Sequence, residues 1–327
     1  MKKVPISLVI DDPAPVLSVY YTHHGTGFTK DGRPIIRNVP VSFLRDFCDV
    51  IEKRGIKGKF SVVPMPGNCG DIRTGIEGVS AEDLNEWIDL AKTRVAKQFS
   101  IGPEMLTHNM AVDLENGSAL EMNERDWAST QSRETLTPYI AKAFSILKDV
   151  GFDSCGVTSP WDFGIEVEDE YAAAISQAAY EVYGTKNAWY FLHVVCNQPN
   201  AKPWVAYEEG DRTLVSIPAT TNDHIWQTIE ATDTSETYVK KVADELITED
   251  GTSGEWVQVL ETGGYPILLA HWQSLVSNGN FTGLRVLDEV ARRINVNYSE
   301  RVEWMDFEEI LQLVLKDKDS YRTQPAK

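Results

Sequence analysis

The sequence predicts an α/β fold: a single irregular (β/α) barrel of about seven to eight mostly parallel strands with an outer layer of helices. Short apolar runs alternate with amphipathic segments from one end of the chain to the other. The runs are rich in β-branched and aromatic residues, which is typical of strands buried on both faces of a parallel sheet. Because no low-complexity linker divides the chain, residues 1–327 are predicted to form one domain.

Eight apolar runs are the predicted strands: Ile6–Asp11, Lys59–Pro64, Phe99–Glu104, Ser154–Ser159, Ala188–Val195, Thr213–Ala219, Tyr265–His271 and Val302–Trp304. Seven amphipathic segments are the predicted helices: Val41–Arg54, Ser80–Phe99, Tyr139–Val150, Asp169–Tyr183, Glu236–Ile247, Gly283–Ile294 and Phe307–Leu315. Gly55 suits the left-handed turn after a helix, and Ser80 with Asp83 forms a variant of the capping box. Pro138 fits the first turn of the third helix. Segment 196–212 contains two prolines and no helical periodicity, so we expect the barrel to be irregular there.

The chain has 327 residues, of which 42% are hydrophobic, enough for a sizeable buried core. Its 31 Lys and Arg residues stand against 49 Asp and Glu residues, a formal net charge of −18. Such acidity argues against a nucleic-acid partner, because phosphates require a basic surface, and against adhesion to an anionic membrane. We therefore expect neither partner.

The four cysteines show no CxxC spacing, which argues against a cysteine zinc cluster and against a dense disulfide framework. We interpret them as free thiols in a reducing compartment. The apolar stretch near the first residues is shorter than a secretory leader requires, and no run approaches the length of a membrane span. We therefore expect a cytoplasmic protein.

Acidic and histidine side chains follow several of the predicted strands. In a parallel barrel the functional groups lie where strands end and the following loops begin. These positions hold Asp11 and Asp12, the stretch from Glu104 to His108, Asp162, Asp223 with His224, and His271. Carboxylates gathered without matching Lys or Arg repel one another unless a cation or shared protons relieve the repulsion. The pattern therefore predicts a metal site.

The order of these motifs resembles that of the polysaccharide deacetylases (NodB-like) of the glycoside hydrolase/deacetylase barrel superfamily. The resemblance rests on a first strand that ends in Asp11-Asp12, an acid/His pair after the third strand, and a late Leu269-Ala270-His271. It implies that Asp11 is the catalytic base, that Asp12 is a metal ligand, and that His271 is the general acid toward the leaving group. An imidazole suits that role because its ordinary pKa lies near neutral pH.

The second family motif carries two metal-binding histidines four residues apart. By the resemblance, His108 takes the place of the second histidine and Glu104 replaces the first. Side chains at i and i+4 share one face of a helical turn, so both can reach one cation. The implied ligands are Asp12, Glu104 and His108, and the implied cofactor is a divalent metal, zinc first, with manganese, iron or cobalt as alternatives. If Glu104 points away, Asp113, His24 or Asp162 could fill the third position, Asp113 being the next candidate.

Two other family motifs are only partly present. Thr158-Ser159-Pro160-Trp161 keeps the Pro-Trp of the third motif and lacks its arginine, which in the family orients the catalytic aspartate. Asp223 to Trp226 resembles the fourth motif only loosely. The sequence therefore leaves open what orients Asp11.

Flat aromatic rings at the strand ends can stack on the apolar face of a sugar while nearby polar groups bond its hydroxyls. The expected substrate contacts are Trp161, Asp162, Asp223, His224 and Trp272. Packing at the barrel mouth is the alternative role of the two tryptophans.

These expectations together describe a metal-dependent hydrolase that removes an acetyl or related acyl group from a small carbohydrate or acylated small molecule. A glycoside hydrolase using two of Asp11, Glu104, Asp162 and Asp223 is one alternative. A degenerate barrel that binds carbohydrate without turnover is another. The oligomeric state is left open.

Overall fold

The computed structural model describes residues 3–20 and 27–324. Its strands are β1 (Val4–Asp11), β2 (Gly58–Val62), β3 (Gly70–Asp71), β4 (Gly75–Ile76), β5 (Phe99–Pro103), β6 (Met110–Val112), β7 (Ala119–Asn123), β8 (Gly156–Thr158), β9 (Asn187–Phe191), β10 (Trp204–Glu209), β11 (Arg212–Ser216), β12 (Ile267–His271) and β13 (Val302–Trp304). Its α-helices are α1 (Val41–Arg54), α2 (Ala81–Thr93), α3 (Glu124–Ala128), α4 (Arg133–Asp149), α5 (Glu168–Tyr183), α6 (Glu236–Leu246), α7 (Glu255–Glu261), α8 (Trp272–Val276), α9 (Thr282–Tyr298) and α10 (Phe307–Leu315).

Two mostly parallel sheets form the centre of the α/β fold. The first has the order β12-β1-β2-β5, with β13 also pairing with β1, and the second has the order β10-β11-β9-β8. A parallel bridge between Glu104 and Thr158 joins β5 to β8, and the Thr220 N–H donates to the Ile267 carbonyl at 3.0 Å beside β12. The α/β class and the eight predicted strands are confirmed. Closure of the two sheets into a barrel stays a prediction.

The predicted irregularity in segment 196–212 takes the form of an antiparallel edge strand. Strand β10 pairs antiparallel with β11, and the register shifts between Val205 and Tyr207. Pro199 and Pro203 precede it, and proline cannot donate to a ladder, so the chain reaches this edge without a crossover helix. All other pairings within these two sheets are parallel.

Local signals set most helix ends. Helix α1 ends at Gly55, whose φ of 66° is left-handed, and Ser80 caps α2 by accepting the Asp83 N–H. Helix α4 differs from its prediction, because it begins at Arg133 rather than Tyr139 and carries Pro138 inside it. A capping box of Ser132 and Thr135 starts the helix earlier than the proline indicated.

An aromatic cluster anchors the helical layer on the first sheet. Phe43 and Phe47 from α1 and Phe60 from β2 surround the Trp272 ring, with centroid distances of 4.8, 5.4 and 5.5 Å. All four side chains are buried. The cluster holds β2 and the end of β12 together on either side of β1, whose carboxyl end contributes to the site described below.

Among the described helices, none combines the length and apolar character that crossing a membrane requires.

Candidate metal centre

Three side chains that follow β1 and β5, the strands on either side of β2, converge on one point. Asp12 follows β1, Glu104 follows β5, and His108 lies in the next loop. The His108 Nε2 atom lies 2.7 Å from Asp12 Oδ1 and 3.2 Å from Glu104 Oε1. One candidate ligand atom from each residue lies within 4.8 Å of the others, and all three residues are buried. The structure thus brings together the three residues that the sequence assigned to the metal.

The backbone around this group is held in an uncommon conformation. Asp12, Met105 and His108 have φ values of 65°, 35° and 53°, in the left-handed region that non-glycine residues rarely occupy. The Asp12 N–H donates to Glu104 Oε2 at 2.6 Å and fixes the two strand ends relative to each other. Strained backbone of this kind persists only where surrounding contacts impose it, and it concentrates at functional sites.

A buried carboxylate beneath the group holds the loop that carries His108. Glu124 Oε1 accepts the N–H groups of Leu106 and Thr107 at 3.0 and 2.9 Å, and Glu124 Oε2 accepts that of His108 at 2.7 Å. The Tyr139 hydroxyl also donates to Glu124 Oε1, at 2.7 Å. The sequence analysis did not single out Glu124, because a lone acid at the start of a short helix carries no signal that it is buried.

The electrostatics of the group are those of crowded, buried carboxylates. Burial, with the negative charges of Asp12 and Asp11, raises the pKa of Glu104 to about 7. Burial acts to lower the pKa of His108, but the carboxylates of Asp12 and Glu104 outweigh it and raise that pKa well above its ordinary value. A compact set of two carboxylates and one imidazole can hold a divalent cation, which would replace the shared protons.

The alternative third ligands do not join this group. Asp113 accepts hydrogen bonds from the Glu115 N–H and the Asn116 amide at 2.8 and 2.6 Å. Asp162 is exposed next to Trp161. His24 lies outside the described residues. Glu104 therefore occupies the third position in the structure.

Asp11 forms an ion pair with a lysine that the sequence analysis did not assign. The Lys59 Nζ atom donates to Asp11 Oδ1, and it also contacts Ser61 Oγ and Thr158 Oγ1 at 2.7 Å each. The Lys59 side chain has no exposed surface. The available signal was a lysine at the start of the predicted buried strand Lys59–Pro64, because a buried charge needs a partner.

His271 is held at the other side of the β1 end. Its Nδ1 atom lies 2.8 Å from Asp223 Oδ2, and the Trp226 ring packs edge-on against it at 4.9 Å. Burial acts to lower the pKa of His271, but Asp223, Asp12 and Asp11 outweigh it and raise the pKa to about 9. The imidazole is therefore protonated at neutral pH, with one nitrogen engaged by Asp223.

Among the predicted substrate contacts, Trp161 lies beside the group formed by Asp12, Glu104 and His108. Its ring centroid is 4.5 Å from that of His108, and 41% of its surface is exposed. Trp161 and Asp162 have left-handed φ values of 49° and 63°. An exposed ring held in strained backbone beside a polar centre is available to contact a ligand.

The other predicted contacts divide between a cleft and the core. His224 lies between Glu245 and Glu255, 2.7 Å from each, and with Asp223 it lines an open cleft of about 930 Å³. Trp272 is only 1% exposed and packs in the aromatic cluster described above, so it cannot contact a substrate in this conformation. Among residues 3–20 and 27–324, those that line the cleft are Tyr20, Phe28, Thr29, Lys30, Asp223, His224, Trp226, Gln227 and Glu230.

Comparisons with known proteins address the fold. No family model and no curated protein matches the chain. A solved structure titled putative polysaccharide deacetylase from Mycobacterium smegmatis matches with a TM-score of 0.57 and 13% identity, covering 99% of this chain and 95% of its own.

Two weaker structural matches have TM-scores below 0.5. A mutant of BA3943, described as a CE4 family pseudoenzyme with restored enzymatic activity, matches with a TM-score of 0.41 and 11% identity over 94% of this chain and 68% of its own. The 4-alpha-glucanotransferase of Thermococcus litoralis gives 0.44 and 11% over 95% and 40%. The inference therefore rests on the Mycobacterium structure alone. It shows that the chain has a divergent form of the polysaccharide deacetylase fold.

Proposed function

We propose that the protein is a metal-dependent hydrolase that removes an acetyl or related acyl group from a small, sugar-like substrate. The observation that carries the proposal is the convergence of Asp12, Glu104 and His108 within 4.8 Å, with Asp11 and His271 beside them. The same five residues were assigned to these roles from motif order. The polysaccharide deacetylase fold is consistent with this chemistry, and so is the predicted closure into a barrel with the site at its mouth.

Asp12, Glu104 and His108 would hold the metal. The donor set fits zinc, with manganese, iron or cobalt as alternatives, because carboxylate and imidazole ligands suit all four ions. A cation bound there supplies Lewis acidity that polarises an acyl carbonyl and lowers the pKa of water. The hydrogen bond from the Asp12 backbone N–H to Glu104 Oε2 fixes the Glu104 carboxylate relative to the backbone of Asp12.

Asp11 is the proposed general base. It directly precedes Asp12, and both of its contacts with Lys59 and Ser61 are made through Oδ1. Among the described residues, Oδ2 then remains the oxygen able to accept a proton from attacking water. The general base is thus anchored through one oxygen and reacts through the other.

His271 is the proposed general acid. Its raised pKa of about 9 leaves it protonated at neutral pH, as a proton donor requires. Asp223 holds Nδ1, so Nε2 is the nitrogen that can donate to the departing oxygen or nitrogen of the substrate. Substrate contacts are proposed for Trp161, Asp162, Asp223 and His224.

Metal content tests this proposal first. Protein purified without chelator or affinity tag is analysed by mass spectrometry, next to Asp12→Ala, His108→Ala and the control Asp113→Ala. Near-stoichiometric metal in the wild type and in Asp113→Ala, lost in the other two, supports the site. Wild-type protein that neither contains nor is thermally stabilised by zinc, manganese, iron or cobalt would overturn it.

Activity tests the catalytic assignment. Acetylated sugars are screened for acetate release with the wild type, Asp11→Asn and His271→Gln. Metal-stimulated release that falls by about 100-fold or more in both variants supports the assigned general base and acid. An Asp11→Asn variant that keeps full metal-stimulated activity would remove Asp11 from its role.

A further inference from the structure

The Lys59 ammonium is a fully buried positive charge that pairs with Asp11. It has no exposed surface, and the Phe191 ring lies 4.7 Å from Nζ. An ammonium has three N–H donors and is costly to bury unless each finds an acceptor. Asp11 Oδ1, Ser61 Oγ and Thr158 Oγ1 supply three acceptors. The position of the ammonium is therefore fixed by strands β1, β2 and β8 together.

The register of the strands explains how Lys59 reaches Asp11. Lys59 on β2 pairs with Val9 on β1, and Asp11 lies two residues beyond Val9 on the same face of that strand. A long, unbranched lysine side chain can span that offset. Ser61 lies on the same face of β2 as Lys59, but its shorter side chain brings Oγ only to 3.5 Å from Asp11 Oδ1. The sheet thus aims the Lys59 side chain along β1 toward its carboxyl end.

Thr158 provides the space for this contact. It stands at the position where the resembled third motif has arginine, and its short side chain allows the Lys59 Nζ atom to lie 2.7 Å away. The Thr158 hydroxyl is also 2.9 Å from Ser61 Oγ, so the three polar groups around the ammonium are linked to one another. A longer cationic side chain at position 158 would compete with Lys59 for the same carboxylate.

We propose that Lys59 is the positioning residue for Asp11: a cation on β2, accommodated by Thr158, holds Oδ1 of the general base and so sets the direction of Oδ2. This rests on the role proposed above for Asp11. Catalytic groups must be held within a fraction of an ångström, and a displacement of about 1 Å costs about 100-fold in rate. Lys59 acts through Asp11 and does not itself touch substrate.

The first test compares kcat and KM for acetate release in Lys59→Met, Lys59→Arg and the control Lys57→Met. Lys57 lies just before β2 and pairs with Glu309 at the surface. For Lys59→Met we expect kcat to fall by about 100-fold, with KM changed less than about threefold and metal content retained, because the general base alone is misplaced. The control Lys57→Met keeps both constants. Unchanged kcat in Lys59→Met would overturn the proposal while leaving the proposed function standing.

The second test moves the cation from position 59 on β2 to position 158 on β8. The double variant Lys59→Ala/Thr158→Arg places a guanidinium opposite Asp11. We expect its kcat to be at least about tenfold higher than that of Lys59→Ala. A residue needed only for folding would not be rescued in this way. Recovery supports the positioning role, and a double variant that folds but stays as slow as Lys59→Ala would contradict it.

A third measurement needs no activity, so it separates this proposal from the proposed function. Unfolding midpoints in denaturant are compared for metal-free wild type, Lys59→Met, Asp11→Asn and Lys59→Met/Asp11→Asn. Each single variant leaves one buried charge unpaired, so we expect the double variant to unfold at a higher midpoint than either. Additive losses would show that Lys59 does not hold Asp11. Loss of activity in Asp11→Asn alone bears on the proposed function.

Discussion

Asp11 and His271 are register partners at the carboxyl ends of the adjacent parallel strands β1 and β12. Each is anchored by a neighbour of opposite charge, Asp11 by Lys59 and His271 by Asp223. The proposed base therefore has a cationic anchor and the proposed acid an anionic one. Two strands in register thus place the proposed proton acceptor and the proposed proton donor side by side, next to the candidate ligand Asp12.

Removing the charge of Glu104 should weaken metal binding without breaking its structural contact. In Glu104→Gln the amide oxygen can still accept the Asp12 N–H, but the anionic ligand is lost. We expect the dissociation constant for zinc to rise by about 10-fold or more, as measured by competition with a chromogenic chelator. The control Glu121→Gln, at an exposed position on β7, keeps the wild-type constant. Equal affinities in wild type and Glu104→Gln would remove Glu104 from the ligand set.

The buried carboxylate of Glu124 should matter for stability. In Glu124→Gln one acceptor oxygen becomes an NH₂ donor that faces backbone N–H groups of the His108 loop. Leaving a buried donor unsatisfied costs about 1–3 kcal/mol, so the free energy of unfolding should fall by about that amount. Denaturant titration of Glu124→Gln checks this, against Glu121→Gln, for which a change within about 0.5 kcal/mol is expected. A loss no larger than that of Glu121→Gln would contradict the prediction.

The ionisation of His271 should depend on Asp223. Asp223→Asn removes the carboxylate that holds Nδ1, so the pKa of His271 should fall from about 9 toward its ordinary value. Imidazole NMR signals followed against pH measure this shift, and the signals of His193, which contacts Glu168, serve as the internal control. A His271 signal that titrates at the same pH in both proteins would refute the assignment.

The same ion pair has a consequence for stability against pH. Because the folded pKa of His271 lies above the unfolded value of 6.5, its stabilisation is fully present below pH 6.5 and is lost as pH rises through about 9. The free energy of unfolding of the wild type should therefore decrease across this range more steeply than that of Asp223→Asn. Thermal unfolding at pH 6, 7.5 and 9 compares the two slopes, and parallel curves would argue against the linkage.

The exposed ring of Trp161 should contribute to substrate binding. An aromatic contact contributes about 0.5–1.5 kcal/mol, so Trp161→Ala should raise KM for an acetylated sugar by about 3- to 10-fold, with a smaller rise in Trp161→Phe. Tyr180→Ala removes an aromatic ring of similar exposure on α5 and should leave KM unchanged. Steady-state kinetics measures KM for the three variants and the wild type. A KM for Trp161→Ala equal to the wild-type value would remove Trp161 from the substrate contacts.

The periodicity of apolar residues predicts those helices and strands whose limits are set by residues close to them in the chain. The limits of α1 and α10 agree with the sequence prediction, since Gly55 and the box of Asp306 and Glu309 mark their ends locally. Strand β10 was not predicted, because it is an edge strand that follows prolines and ends in exposed acids. Its pairing depends on β11, not on a pattern of its own.

The candidate site likewise has residues that the sequence identified and contacts that it could not. Motif order placed Asp12, Glu104 and His108, which the fold brings together because they follow the carboxyl ends of β1 and β5, the two strands that flank β2. The pairing of Lys59 with Asp11 joins residues 48 apart in the chain, and no local pattern encodes which acid a buried lysine meets. The burial of Trp272 likewise depends on two phenylalanines of a distant helix.

The pairing of β1 with β12 and β13 bears on biosynthesis. Val4 on β1 pairs with Val302, and the Ser7 hydroxyl donates to the Met305 carbonyl across a separation of 298 residues, so β1 is synthesised well before these partners. At about 5–20 residues per second, β1 waits tens of seconds for them. During that interval the nascent chain exposes the unpaired apolar edge of β1, and Asp11 can meet its register partner His271 only after β12 has emerged.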